Sequence, residues 1–424
     1  MLITGGLLLN LDSGTVTEAD VRIAGTRIVE VGSQLPLKPH EVRLDITGRW
    51  LMPGLCLAHH HLYSALACGM PMPVTTPASF TEMLKGVWWK LDRALDLPSV
   101  ETSALVGGLQ ALRAGVTTIF DHHASPTCIN GSLEAVSKGL TRLGMRHVLC
   151  YEVSDRGGEA ESLAGLEEHY SMLDKQSPMR GVMIGAHANF TLSDKSLARC
   201  ASLAQEAGVA LHIHVAEAVD DARATGEALI GRMERLGALL PGSIFAHCVH
   251  LSRTELQHLD ELGIWVSHQP RSNQNNSVGY PKLESFPDTT VLGTDGIGGD
   301  LFAELQAGWF RAQDEGVPWS PQRWLEVLHQ GSALASQKLG VSLGGIRPGF
   351  EADLVVLDPI PGPPLSDANL AASFLFRLTS SAVRDVMVAG RWRLQNRMPC
   401  GIDTAALQQR AAADAQAVWS RMRD

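Results

Sequence analysis

The 424-residue sequence has no run approaching the roughly 20 uninterrupted apolar residues that a membrane-spanning helix needs, so a membrane protein is not expected. Basic clusters are missing too. With a net charge of −10 and no concentration of Lys or Arg, the chain offers no electrostatic footprint for a phosphate backbone, which removes nucleic acid polymers from the expected partners. The seven cysteines (Cys56, Cys68, Cys128, Cys150, Cys200, Cys248 and Cys400) form no CxxC pair and are odd in number, which suits reduced thiols in a cytoplasm rather than a disulfide framework. No basic leader or apolar signal core develops before Asn10 and Asp12, and the amino terminus reads as a first strand. Gly-rich loops and Arg clusters that could cradle a phosphate are also lacking, so free bases suit the chain better than nucleotides.

What is present is an ordinary globular balance, 45% apolar and 19% charged, in a chain long enough for a barrel with an accessory domain. The first fifty residues alternate in strand fashion, with Val21 to Val31 reading as two strands joined at Gly25, and strand signals return at Ala352–Leu357 and Val386–Trp392. Between about Leu51 and Gly340, short β-branched runs alternate with helical stretches. Ser252-Arg-Thr-Glu255 is a capping box for a helix stopped by Gly263, and Ser193 and Gly208 bracket another. Eight strand candidates end near Ala58, Asp121, Tyr151, Ala186, His214, His247, Ser267 and Thr294. This pattern predicts an α/β fold: a (β/α)8 TIM barrel over residues 54–345. Segments 1–53 and 346–424 then combine into a small β-sandwich domain with a terminal helix.

Active sites of such barrels lie at the carboxyl ends of the strands, and polar residues gather at those positions here. Strand one ends in Ala58-His59-His60-His61, where alternation turns His59 and His61 to one side and His60 to the other. Strand five ends in His212 and His214, with Glu217 three residues on; strand six supplies His247, and strand eight Asp295. A lone histidine at a strand end is more often structural than a ligand. Imidazoles and carboxylates together at the ends of strands one, five, six and eight point to a metal site instead. Nitrogen and carboxylate donors without thiolate suit zinc, and iron or manganese accept the same set.

The sequence resembles the amidohydrolase superfamily in its cytosine-deaminase-like and chlorohydrolase-like branch. The motifs are Met52-Pro-Gly54 before His59-X-His61, Gly115-Val-Thr-Thr118 before Asp121, and His214-Val-Ala-Glu217. Ala246 to Leu251, Leu292-Gly-Thr-Asp-Gly296 and Arg347 to Leu354 complete the set. Trp88 to Leu95, Asp121 to Pro126, Arg271 to Asn276 and the segment ending at Asp300 look like the SsnA-type aminohydrolases. The resemblance implies metal ligands at His59, His61, His214 and Asp295, with His247 beside the attacking water. It implies that Asp295 accepts the proton of that water and that Glu217 shuttles it to a ring nitrogen and the departing amine. Binuclear relatives carry a lysine at the end of strand four, where this chain presents His187, so one metal ion is expected.

Substrate-binding candidates are His187, His123, Ser272 and Asn273, each with a structural alternative: His122 and His123 face opposite ways, and Ser and Asn also stabilise turns. Trp88 and Trp89 cover the pocket or fill a helix core; His60, His212 and His250 are read as structural. The function expected is hydrolytic deamination of a small nitrogen heterocycle, such as a purine, pyrimidine or triazine, with release of ammonia. Ring-opening hydrolysis of a cyclic amide or imide is the alternative, and a catalytically silent scaffold a third reading. Relatives imply a homo-oligomer, a dimer or larger. Protein prepared without chelator is expected to carry about one divalent ion per chain by elemental analysis; a reproducible value near two would count against a single site.

Overall fold

The computed structural model describes residues 1–71, 79–223, 226 and 228–423. Eight parallel strands form the barrel: Leu55–His60, Val116–His123, Arg146–Tyr151, Ile184–Ala188, Leu211–Val215, Ile244–His247, Trp265–His268 and Thr290–Leu292. They pair in sequence order, with a short preceding segment, Arg180–Val182, and a Val153 to Ala186 bridge joining the third strand to the fourth. Closure falls between the last strand and the first. The amides of Thr294 and Asp295 donate to the carbonyl of His59 at 2.9 and 3.2 Å, and His61 donates to Asp295 O at 3.2 Å. Gly293 permits this approach, because a Cβ there would lie 2.8 Å from the His59 carbonyl oxygen.

Around the barrel run helices whose ends follow local sequence chemistry. Ser252 and Glu255 form the reciprocal capping box at Arg253–Glu261, and the Ser193 hydroxyl accepts from Ser196 N at the start of Asp194–Glu206. Cys56, Phe120, Val148, Met183, Ile244, Trp265 and Val291, drawn from around the strands, pack into one apolar cluster. The histidines of the candidate site lie at the carboxyl ends of these strands.

Beside the barrel, two sheets face each other. One is ordered Arg27–Gly32, Asp20–Ala24, Leu2–Thr4, Arg43–Asp45; the other has seven strands, in which Trp50–Pro53 lies between Leu354–Leu357 and Leu7–Asn10. Ile3, Val21, Ile23 and Ile28 from the first meet Leu8, Leu51, Leu354, Val356 and Met387 from the second. The terminal helix Thr404–Arg421 returns to the barrel, where Trp419 Nε1 donates to Leu66 O at 2.9 Å. Among the described residues no helix is long and apolar enough to cross a membrane.

A buried ion network joins the two parts. Arg146, fully buried on barrel strand three, donates to both Asp353 oxygens at 2.9 Å, to Glu351 at 2.8 Å and to Pro178 O at 2.6 Å. Removing the guanidinium would leave Asp353 buried without its cation, while Glu351 keeps Arg27 at 3.1 Å; breaking a buried pair in this way costs about 3–5 kcal/mol. Arg146→Ala is expected to lower the denaturant midpoint of unfolding by a corresponding amount; an unchanged midpoint would show that the network adds nothing.

Candidate metal centre and catalytic pocket

His59, His61, His214 and Asp295 converge so that one ligand atom from each lies within 4.8 Å of the others, all four side chains being buried. His61 Nε2 is 2.9 Å from Asp295 Oδ1 and 3.1 Å from His214 Nε2; His59 Nε2 is 3.4 Å from the same Asp295 oxygen. The opposite ring nitrogens are occupied. His61 Nδ1 donates to His122 O at 2.5 Å and His214 Nδ1 to His187 O at 2.8 Å, while His59 Nδ1 pairs with His212 Nε2 at 2.8 Å. Such bonds fix the tautomer and leave the Nε2 lone pairs facing inward, as in metal-binding histidines. His59 Nε2 has no hydrogen-bond partner at all, an orphan that a cation would satisfy. The donor set fits a divalent ion.

The buried titratable groups shift in different directions. Burial drives His59 and His214 well below the ordinary imidazole range. Burial would depress His61 as well, but its hydrogen bond to Asp295 and that carboxylate's charge lift it to about 9. Asp295, although buried, is held well below the carboxylate range by His59 and His61. Glu217 moves the other way: burial, then the charge of Asp295, raise it well above that range. Glu217, His247 and Asp295 form a second group on the same scale. His247 Nε2 lies 3.6 Å from Glu217 and has no hydrogen-bond partner, and its Nδ1 donates to Asn273 Oδ1 at 2.8 Å.

The backbone is strained at these positions. Ala216, His247 and Asp295 have φ of 49°, 74° and 53°, each costing of order 1–3 kcal/mol, at the ends of strands five, six and eight. Those turns bend the chain so that successive strand ends aim at one point.

The adjoining cavity, about 40 Å³, is lined by His61, His214, Glu217 and Asp295, by His187, Glu152, Asp92 and Asn276, and by a wall of Phe80, Leu84, Trp88 and Trp89. That volume admits water, and the aromatic side chains form its apolar side. Trp88 also borders a second, largely apolar cavity of about 220 Å³. Gly296 lets it pack here, because a Cβ would come 2.4 Å from the indole.

Of the substrate-binding candidates, His187 lies on the cavity wall, its Nδ1 bonded to Thr191 at 2.6 Å. His123, Ser272 and Asn273 do not line the cavity. His123 is fully buried and bonded to Ser125 at 2.9 Å; Ser272 donates to Asp295 Oδ2 at 2.5 Å; Asn273 braces His247. Among the structural histidines, His60 bonds Thr294 and His250 bonds Val278 O, whereas His212 supports His59 directly. Trp88 and Trp89 are both on the wall. The reading of the sequence passed over Glu152, Asp92 and Asn276. Glu152 directly follows strand three, where the strand-end rule would have found it.

A model of the amidohydrolase family matches residues 50–393. The chain belongs to the amidohydrolase family. This amidohydrolase is 28% identical over 410 residues to the 5'-deoxyadenosine deaminase of Methanopyrus kandleri, covering 91% of this chain and 90% of that protein. Its fold is similar to that of an adenosine deaminase from Xanthomonas campestris with bound zinc, at 22% identity and a TM-score of 0.83, covering 100% of this chain and 98% of that one. It is similar also to an atrazine chlorohydrolase from Arthrobacter aurescens complexed with zinc, at 22% identity and a TM-score of 0.82, covering 98% and 99%. These two likenesses concern the fold.

Because His212 orients His59 without belonging to the converging set, His212→Ala is expected to weaken metal binding about 10–100-fold in a chelator competition assay. Unchanged affinity would make the 2.8 Å contact incidental.

Proposed function

We propose that this amidohydrolase is a metal-dependent aminohydrolase that removes an amino group from a small nitrogen heterocycle as ammonia. The observation that carries the reading is the convergence of His59, His61, His214 and Asp295 on one point, with Glu217 and His247 grouped around the same Asp295 carboxylate in one pocket. His59, His61, His214 and Asp295 would hold the cation, zinc by the nitrogen-rich donor set, with iron or manganese able to replace it. When bound, such an ion ionises water near neutral pH and so supplies the nucleophile.

The remaining chemistry is proton movement by the chain's own groups. Asp295 Oδ2 accepts from Ser272, which orients a carboxylate able to take a proton from water. Glu217 delivers one proton to the ring nitrogen and, after reprotonation, one to the amine that leaves. His247, oriented through Asn273, offers Nε2 beside Glu217 to the oxygen being added. His187 on the cavity wall would contact the ring. The deaminase name of the Methanopyrus kandleri relative supports amine release. Ring opening would use the same groups, and only the product distinguishes it.

Glu217→Gln keeps size but removes the titrating proton, so metal content and fold should persist while turnover falls by about 10²–10⁴-fold. Asp295→Asn should lower metal content and turnover together, since an amide is the poorer ligand. Metal assay and ammonia release are to be measured on the same preparations. Near-native turnover in Glu217→Gln would remove the shuttle role; loss of its metal would make Glu217 a ligand. Ring products without ammonia would shift the reading to cyclic-amide hydrolysis.

A further inference from the structure

The end of the cavity formed by Asp92 and Glu152 has no task in the steps above. Both carboxylates are on the wall and at least nine-tenths buried, Asp92 at 1% and Glu152 at 5% exposure. One cation serves both. Arg156 Nη2 lies 2.7 Å from Asp92 Oδ2 and 3.6 Å from Glu152 Oε1, and its guanidinium sits 5.1 Å from the Trp89 ring centroid. His122 occupies Glu152 Oε2 at 3.2 Å, and His187 Nε2 is 3.6 Å from Oε1, beyond hydrogen-bond distance. Asp92 Oδ1 is buried with no partner at all.

A buried carboxylate oxygen without a donor costs free energy unless something else supplies the hydrogen. Asp221, also on the wall, is not in this position, because its oxygens take the amides of Ala216 and Phe190. Among the described residues no lysine or arginine lines the cavity, and the nearby buried donors Arg156 Nη1 and Trp89 Nε1 make no hydrogen bond to Asp92 Oδ1, so a group entering the cavity can supply the missing hydrogen. Burial pushes Asp92 up to about 7 even with Arg156 beside it, as expected of a carboxylate short of donors.

We propose that Asp92 and Glu152 read the substrate by accepting hydrogen bonds from it, so that the preferred heterocycle carries at least one amino or ring N–H donor besides the amine it loses. This rests on the aminohydrolase reading and narrows its substrate class. A buried acceptor such as Asp92 Oδ1 discriminates against a ring that offers it no donor, and Glu152 beside it extends the same acceptor edge.

Binding can be separated from turnover by using metal-loaded Glu217→Gln protein in calorimetry, with two matched pairs of probes: adenine against diaminopurine, and aminopyrimidine against diaminopyrimidine. In the pair that binds more tightly, the diamino member is expected to bind roughly 10–100-fold better, the range for a hydrogen bond to a charged group. Asp92→Asn or Glu152→Gln should reduce that preference to a few-fold. Equal binding within both pairs, no binding of any probe, or a preference that survives both substitutions overturns the inference. The wild-type preference decides even if a variant does not fold. Ammonia release by the wild-type enzyme from the same probes reports separately on the reaction: selective binding with no ammonia would remove the aminohydrolase reading and leave the recognition assignment standing.

Discussion

His59 takes part in the structure twice. Its carbonyl accepts the amides of Thr294 and Asp295, closing the barrel, while its imidazole points into the group that includes the Asp295 side chain. Closure and ligand convergence are therefore one constraint. If the seam between the first and last strands opened, Asp295 would move from His59 and His61 together, and the buried imidazoles would lose the charge that balances them. Gly293 lies in this seam because no side chain fits between the two backbones.

A second consequence is electrostatic. Packing many titratable groups where water is scarce makes each one's protonation depend on its nearest neighbour rather than on solvent. Asp295 is held low because His59 and His61 face it, and Glu217 is raised first by burial and then by the charge of Asp295. The polar cluster occupies only the carboxyl ends of the strands; the apolar cluster beneath it and the buried Arg146 network at the other domain hold the frame against which these groups are set.

The fold was legible in the chain because strand and helix periodicities differ and because helix ends carry their own chemistry. The capping box at Ser252 and the strand ends at Tyr151 and His247 are local, and they lie where the pattern placed them. The eighth strand is shorter than expected, ending at Leu292, since Asp295 has left extended geometry to turn inward. For the site, alternation separated His59 and His61 from His60, but at strand two it could say only that His122 and His123 diverge. His122 faces the cluster, bonded to Glu152, and His123 faces Ser125. Asn276 rather than Asn273 reaches the cavity because one helical turn, Pro270–Asn275, carries the run of polar residues past the rim.

The sequence by itself determined the elements, their order, and the residues able to bind a cation or move a proton, since these follow from side-chain chemistry and local periodicity. Only the tertiary structure decided which polar groups share a buried space, and so which are charged. Asp92 comes from the segment after strand one and Glu152 from the end of strand three, and no local pattern links them. Their pairing through Arg156, like the opposite shifts of Asp295 and Glu217, arises from burial at short range between segments distant along the chain.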